Sequence, residues 1–288
     1  MIPAAAFSAN LLADLQAMLA YDFMRNAFIA SGCIALAAGL VGYFVVLRNQ
    51  VFTTDALGHV AFTGGLGALL AGFDLLIGLF GSCIGVALLM GSLGGRARAR
   101  DIVIGTVFAW VLGVGVLFLS LYTAAAGSHE SVVGISILFG SIFGLQSGPA
   151  LIAAVVGLAA SAALLLVARP LLFVSLDPDV AVARGVPVRI VAAIFMIVVA
   201  VTVAEAVQAV GALLVFGLMI TPAAIAQSVT SRPYLGLGLS AMVALGAVWA
   251  GLTLAFWLPY PASFLIVALA FAGWLATRVA TWAQDRAL

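Results

Sequence analysis

The sequence predicts an all-α fold, a polytopic transmembrane bundle of about eight to nine spans forming a single domain over residues 1–288. Three observations carry that expectation. Of the 288 residues, 66% are hydrophobic and only 7% are charged, whereas a soluble domain carries about 25% charged residues. Apolar runs recur at the length of about 20 residues needed for a helix to cross a hydrocarbon core about 30 Å thick. The arginines gather in alternate loops between those runs, as the positive-inside rule requires of a multi-pass chain.

Taken in order, the elements begin with the amphipathic stretch LLADLQAML at 11–19, so residues 1–24 are expected to lie in the membrane interface. No short basic-then-apolar leader with a small-residue cleavage site is present, and the first span is expected to be retained. Spans are expected near 26–47, 51–72, 75–95, 102–124, 149–168, 190–207, 210–227, 235–257 and 262–281. Between the fourth and fifth, ISILFGSIFGL at 135–145 is too short to cross and suits a half-helix or a surface segment. The segment 170–189 contains LDPDVAVARG, which reads as a short helix over 177–185, capped near Asp177 and stopped by Gly185. Glycine is abundant, at 31 residues, often at the spacing that lets membrane helices approach closely. Gly64, Gly65 and Gly67 fit either tight packing or a locally loosened helix.

Ten of the eleven arginines follow spans one, three, five, seven and nine, and only Arg25 opposes them. That side is cytoplasmic, and the C-terminus lies inside. Lysine is absent. A phosphate loop of the G-x-x-x-x-G-K-[ST] kind needs that lysine, so any ATP that drives this chain is bound by another polypeptide. Cys33 and Cys83 stand far apart in apolar runs, without C-x-x-C spacing, and read as small core residues. A net charge of +1 gives no footprint for nucleic acid.

The ionisable groups are few enough to enumerate. Asp14, Asp22, Asp74, Asp101, Asp177, Asp179 and Asp285 fall in loops or at span ends, as do His129 and Glu130. Only Asp55, His59 and Glu205 sit inside expected spans. Intramembrane acids cost several kcal/mol unless paired or wetted, so each is a candidate functional position by default. Asp55 and His59, four apart, share one helix face. At 1.5 Å per residue they lie about 10 and about 16 Å from Arg48, close to the midplane. A carboxylate oxygen and an imidazole nitrogen suit zinc, manganese or ferrous iron. The competing reading is a mutually satisfied hydrogen bond. One pair supplies two ligands where zinc wants four, so the rest must come from Glu205, water or a second copy. A two-fold homodimer would supply two oxygens and two nitrogens. Glu205, about 24 Å beyond Arg189, is expected near the outer mouth with Gln208, either as a helix-end acid facing water or as part of a metal path. His129 and Glu130, in GSHESVVG, could receive a metal or be ordinary loop residues.

Four stretches give the chain a resemblance to the integral-membrane permeases of the zinc/manganese/iron class of ABC transporters, over nearly its whole length. DALGHVAFTGG resembles the family's aspartate-x-x-x-histidine segment and ILFGSIFGL its short LFG element. LDPDVAVARGV is similar to its ATPase-docking loop, and VGALLVFGLMITPAAIAQ to its V-G-x-L-L…P-A-x-x-A helix. Two positions depart from the pattern: Gly58 stands where serine or alanine usually precedes the histidine, and Thr63 where proline often precedes the glycine.

The resemblance implies a multi-pass permease of a prokaryotic plasma membrane and not an enzyme. It implies import of a divalent cation delivered by an extracytoplasmic metal-binding protein, through a pair of permease chains driven by cytoplasmic ATP-binding subunits. By position it assigns the metal to Asp55 and His59, and docking to the segment containing Asp177, Asp179, Ala181, Arg184 and Gly185. No cofactor is expected to be bound permanently. Zinc is favoured as cargo by a two-nitrogen, two-oxygen set, with manganese or iron as alternatives. A permease for a chelated metal (siderophore, haem or cobalamin) is the nearest rival, followed by a self-powered carrier or channel. An intramembrane metalloprotease lacks its H-E-x-x-H motif.

Overall fold

The computed structural model describes residues 16–93, 97–125, 137–212 and 215–285, the side chains of 93, 97–101, 125, 284 and 285 excepted. The principal helices are α1 (Asp22–Leu47), α2 (Val51–Leu70), α3 (Leu75–Leu93), α4 (Ala97–Ala125), α5 (Ser147–Leu176), α6 (Pro178–Ala183), α7 (Val188–Val210), α8 (Val215–Val229), α9 (Pro233–Trp257) and α10 (Ala262–Asp285), with a 3-10 turn at Ile142–Gly144. No strand occurs among the described residues. Each of the nine expected spans has its helix.

Seven of these helices are long and apolar enough to cross a membrane. The other two differ for separate reasons. Helix α2 has the length, at 20 residues, but Asp55, His59 and three threonines dilute its apolar character. Helix α8 is described over 15 residues from Val215, after a break at Gly211, and 213 and 214 lie outside the described residues. That length spans about 22 Å, short of a full crossing.

Helix α1 is the hub, and small residues let its neighbours reach its backbone. Helix α5 runs parallel to it: Asn26 bonds Ser147 at one end (3.3 Å), Gly157 abuts Cys33 midway, and Arg48 bonds Ser175 at the other end (3.1 Å). Helix α9 runs antiparallel, with Gly32 against Trp249, Ser240 donating to the Gly39 carbonyl (2.6 Å) and Gly236 against Tyr43. Gly42 lies against the backbone of Met219 in α8. Each contact replaces side-chain bulk with backbone proximity, which is how helices gain packing where lipid offers no hydrophobic drive. The alternation of directions puts Arg48, Arg189 and α6 at one end, in agreement with the positive-inside reading.

The expected short element at 135–145 is present from Ile137 as a helical turn followed by the 3-10 turn; 135 and 136 lie outside the described residues. It is pinned to the α7–α8 break. Gly140 (φ 75°) and Gly211 (φ 94°) lie backbone to backbone, and a Cβ on either would collide with the other strand of chain. Ala212 donates to the Ile137 carbonyl (3.2 Å) and Ser263 to that of Phe139 (2.9 Å). Only glycine tolerates both the positive φ and the contact.

Two expectations need adjustment at the edges. The segment 170–189 is helical as far as Leu176, because α5 continues through Pro170; Leu171 and Val174 are buried there and hold the turn by packing. Of the stretch at 11–19, residues 16–19 form a helical turn with Met18 buried, and the rest lies outside the described residues.

Candidate metal site

Helix α2 positions the pair. With 3.6 residues per turn, Phe52, Asp55 and His59 fall on one face, and Thr53, Leu57 and Val60 on the opposite one. The second face is the packed one: Thr53, Leu57 and Val60 are all buried, whereas Phe52 is 73% exposed and Asp55 and His59 are half-buried. The polar pair therefore lies on the side of α2 that this chain leaves partly open.

The helix is held rigidly around it. Ser82 of α3 donates to the Val60 carbonyl (3.2 Å), and Cys83 Sγ approaches that of Leu57 (3.4 Å). Thr63 donates to the Val111 carbonyl of α4 (3.1 Å). Gly64 meets Gly78 and Ser82, Gly65 meets Leu75, and Gly67 meets Phe118. These glycines serve tight packing; α2 is continuous through them. The two departures from the family pattern are accounted for here. A Cβ at Gly58 would stand 3.1 Å from Val215 and 3.2 Å from the Ala212 carbonyl, so glycine admits the start of α8. Thr63 joins α2 to α4 where proline would break a hydrogen bond.

Neither Asp55 nor His59 makes a hydrogen bond or ion pair among the described residues; the His59 ring stands edge-on to Phe108, with centroids 5.2 Å apart. The mutually bonded pair that competed with the metal reading is therefore not formed. Nor do the described residues contain a group of three or more His, Cys, Asp or Glu side chains able to hold a metal. Among the described residues the candidate set in one chain is therefore Asp55 and His59 alone.

Glu205 keeps its expected depth, one turn before Gln208, but not the exposure of a helix-end acid. It is 2% exposed, a turn and a half inside the end of α7, with no hydrogen-bond partner at either carboxylate oxygen. A helix-end acid facing water is excluded. Helix α7 runs on past it to Val210, so Glu205 is not at the helix end. Gln208, one turn further, lines an outer cavity of about 400 Å³ with Ser141, Gln146 and Leu79. Ser141 and Gln146 were not singled out from the sequence; the signal was their polarity within an otherwise apolar element. His129 and Glu130 lie outside the described residues.

The expected docking helix forms as α6. The Asp177 carboxylate accepts from the Val180 N–H (3.0 Å), and Gly185 (φ 78°) ends the helix with its N–H on the Val182 carbonyl (2.9 Å). Ala181 is fully buried and anchors the helix, while Val180, Val182, Asp179 and Arg184 face outward. Cys33 and Cys83 are both free.

Comparison with known proteins adds a lineage to this geometry. Residues 20–280 match the ABC 3 transport family. An uncharacterised membrane protein of Synechocystis sp. is 32% identical over 254 residues, covering 86% of each chain. The manganese transport system membrane protein MntC of Halalkalibacterium halodurans is 28% identical, covering 84% of this chain and 82% of its own. Among solved structures, PsaBC from Streptococcus pneumoniae in complex with Fab superposes with a TM-score of 0.80 at 25% identity, covering 93% of this chain and 95% of that one.

Proposed function

The chain belongs to the ABC 3 transport family, and on that premise we propose that it forms the membrane path of an ATP-driven importer of divalent metal ions. It is a multi-pass transport permease of a prokaryotic plasma membrane rather than an enzyme. The carrying observation is the unbonded Asp55–His59 pair on the partly open face of α2.

A cation entering a dry bundle must exchange water for protein oxygens and nitrogens. Two ligands from one chain leave the set half complete. A second copy, related by a two-fold axis along the open face of α2, supplies the other carboxylate and imidazole. Rotation of the subunits then separates the ligand pairs and releases the ion. The soluble ATP-binding subunit docks on α6, whose exposed Val180, Val182 and Arg184 stand on a helix anchored by Ala181. The ion arrives from an extracytoplasmic binding protein by way of the outer cavity at Gln208.

Manganese is the cargo we favour over zinc. Several relatives carry manganese in their names, among them the manganese transport system membrane protein MntC and the manganese import system permease protein ScaB. Carboxylate and water suit manganese, and neither cysteine joins the pair to favour a softer ion. Glu205 stands on the path only in a state that opens the end of α7.

Uptake in cells expressing the whole transporter tests this reading. Free manganese should enter, chelated metal should not, and Asp55→Ala and His59→Ala should each abolish entry while the permease still reaches the membrane. Wild-type uptake by both variants would overturn it.

A further inference from the structure

A metal-ligating histidine ordinarily has its second ring nitrogen held by a carboxylate or carbonyl, which fixes the direction of the first. His59 has no such hydrogen bond among the described residues. What its ring meets instead is Phe108 of α4. The two planes stand at 66° with centroids 5.2 Å apart, inside the separation that edge-to-face aromatic pairs prefer. Rotation of an imidazole about its Cβ–Cγ bond is soft. On a half-open helix face the ring would turn freely without a neighbour of this kind.

Phe108 is itself fixed in relation to α2. His59, Thr63 and Gly67 recur every fourth residue and form one stripe of that helix. Thr63 donates to the Val111 carbonyl (3.1 Å), one turn beyond Phe108 on α4. Gly67 lies against Phe118, and a Cβ on Gly115 would collide with Thr63 Oγ1. The two helices thus meet along three successive turns, and the ring pair is the step nearest the start of α2. Phe108 closes one flank of the imidazole, while Asp55, one turn back on α2, shares the side left open.

We propose that Phe108 is a positioning residue for the cation site: its ring holds the His59 imidazole so that a nitrogen faces the open side of α2 beside the Asp55 carboxylate. This rests on Asp55 and His59 being the ligands. It makes an aromatic ring perform the orienting task that a hydrogen bond performs in most metal sites.

The assembled transporter, purified in detergent, can be titrated with manganese by equilibrium dialysis, and electron spin-echo modulation reads the imidazole nitrogen on the bound ion. Phe108→Leu keeps an apolar side chain and removes the ring. It should weaken binding about tenfold, about threefold from each of two copies, and diminish the nitrogen modulation, with the unfolding midpoint unchanged. Phe108→Tyr should restore both readouts to within about twofold of wild type. Should leucine lower the unfolding midpoint, Phe108→Met serves the same arm with a more adaptable side chain. Wild-type binding by the aliphatic variant, or a loss in Phe108→Tyr equal to that in Phe108→Leu, would overturn the assignment. Failure of the underlying reading is separate: it would appear as wild-type manganese binding by Asp55→Ala and His59→Ala.

Discussion

Two acids that the sequence places inside expected spans have opposite surroundings. Asp55 shares a half-open face with His59 and Phe52, and among the described residues nothing in the chain bonds it. Glu205 is enclosed to 2% exposure, and nothing bonds it either. The first is unsatisfied in a way that a second molecule can relieve, because the side chain still faces outward. The second can be relieved only if the bundle itself moves, since its side chain is enclosed within the chain. An orphan carboxylate on an open face points to assembly, and one in a closed core points to conformational change.

That contrast can be broken or sharpened by substitution. The largest effect is expected at the open pair: Asp55→Ala and His59→Ala should each cut manganese uptake by more than about a hundredfold, beyond the penalty typical of a supporting residue, with unfolding temperature unchanged. Next comes Gly211→Ala, which forces a Cβ into the Leu138 and Phe139 backbone at a φ of 94°. It should lose about 3 kcal/mol or more, read as a lowered unfolding midpoint in detergent and poor yield. Glu205→Gln keeps the shape and removes the charge. Its uptake should fall less than about tenfold, the discrimination expected when the altered group is not a direct ligand, and its unfolding midpoint should not drop. A loss as large as that of Asp55→Ala would make Glu205 a ligand and erase the distinction. The smallest effect belongs to Asp177→Ala, which removes the α6 cap for about 1 kcal/mol. ATPase stimulation should decline severalfold while the global unfolding midpoint stays in place.

The helices were legible because a membrane chain must satisfy every backbone group within its own spans, so apolar length and arginine placement report directly on structure. The α6 cap was equally plain, since Asp177, Pro178 and Gly185 signal locally. Where α8 begins was not. Gly211 looks like any of the 31 glycines, and its role arises from Gly140, seventy-one positions away in sequence. For the same reason Glu205 was expected near water: counting residues from Arg189 gives depth along a helix but not what encloses the side chain. The orientation of Asp55 and His59 on one face followed from their spacing. That this face is the open one, and that no hydrogen bond joins the two, depends on which side of α2 receives α3, α4 and α8.

The idea of a shared cation site is best tested by anomalous scattering from manganese-loaded crystals of the assembled transporter. One ion per two permease chains is expected, on the symmetry axis between the Asp55 and His59 side chains of both copies, and absent from Asp55→Ala. An ion bound wholly within one chain, or none between the copies while transport persists, would contradict it.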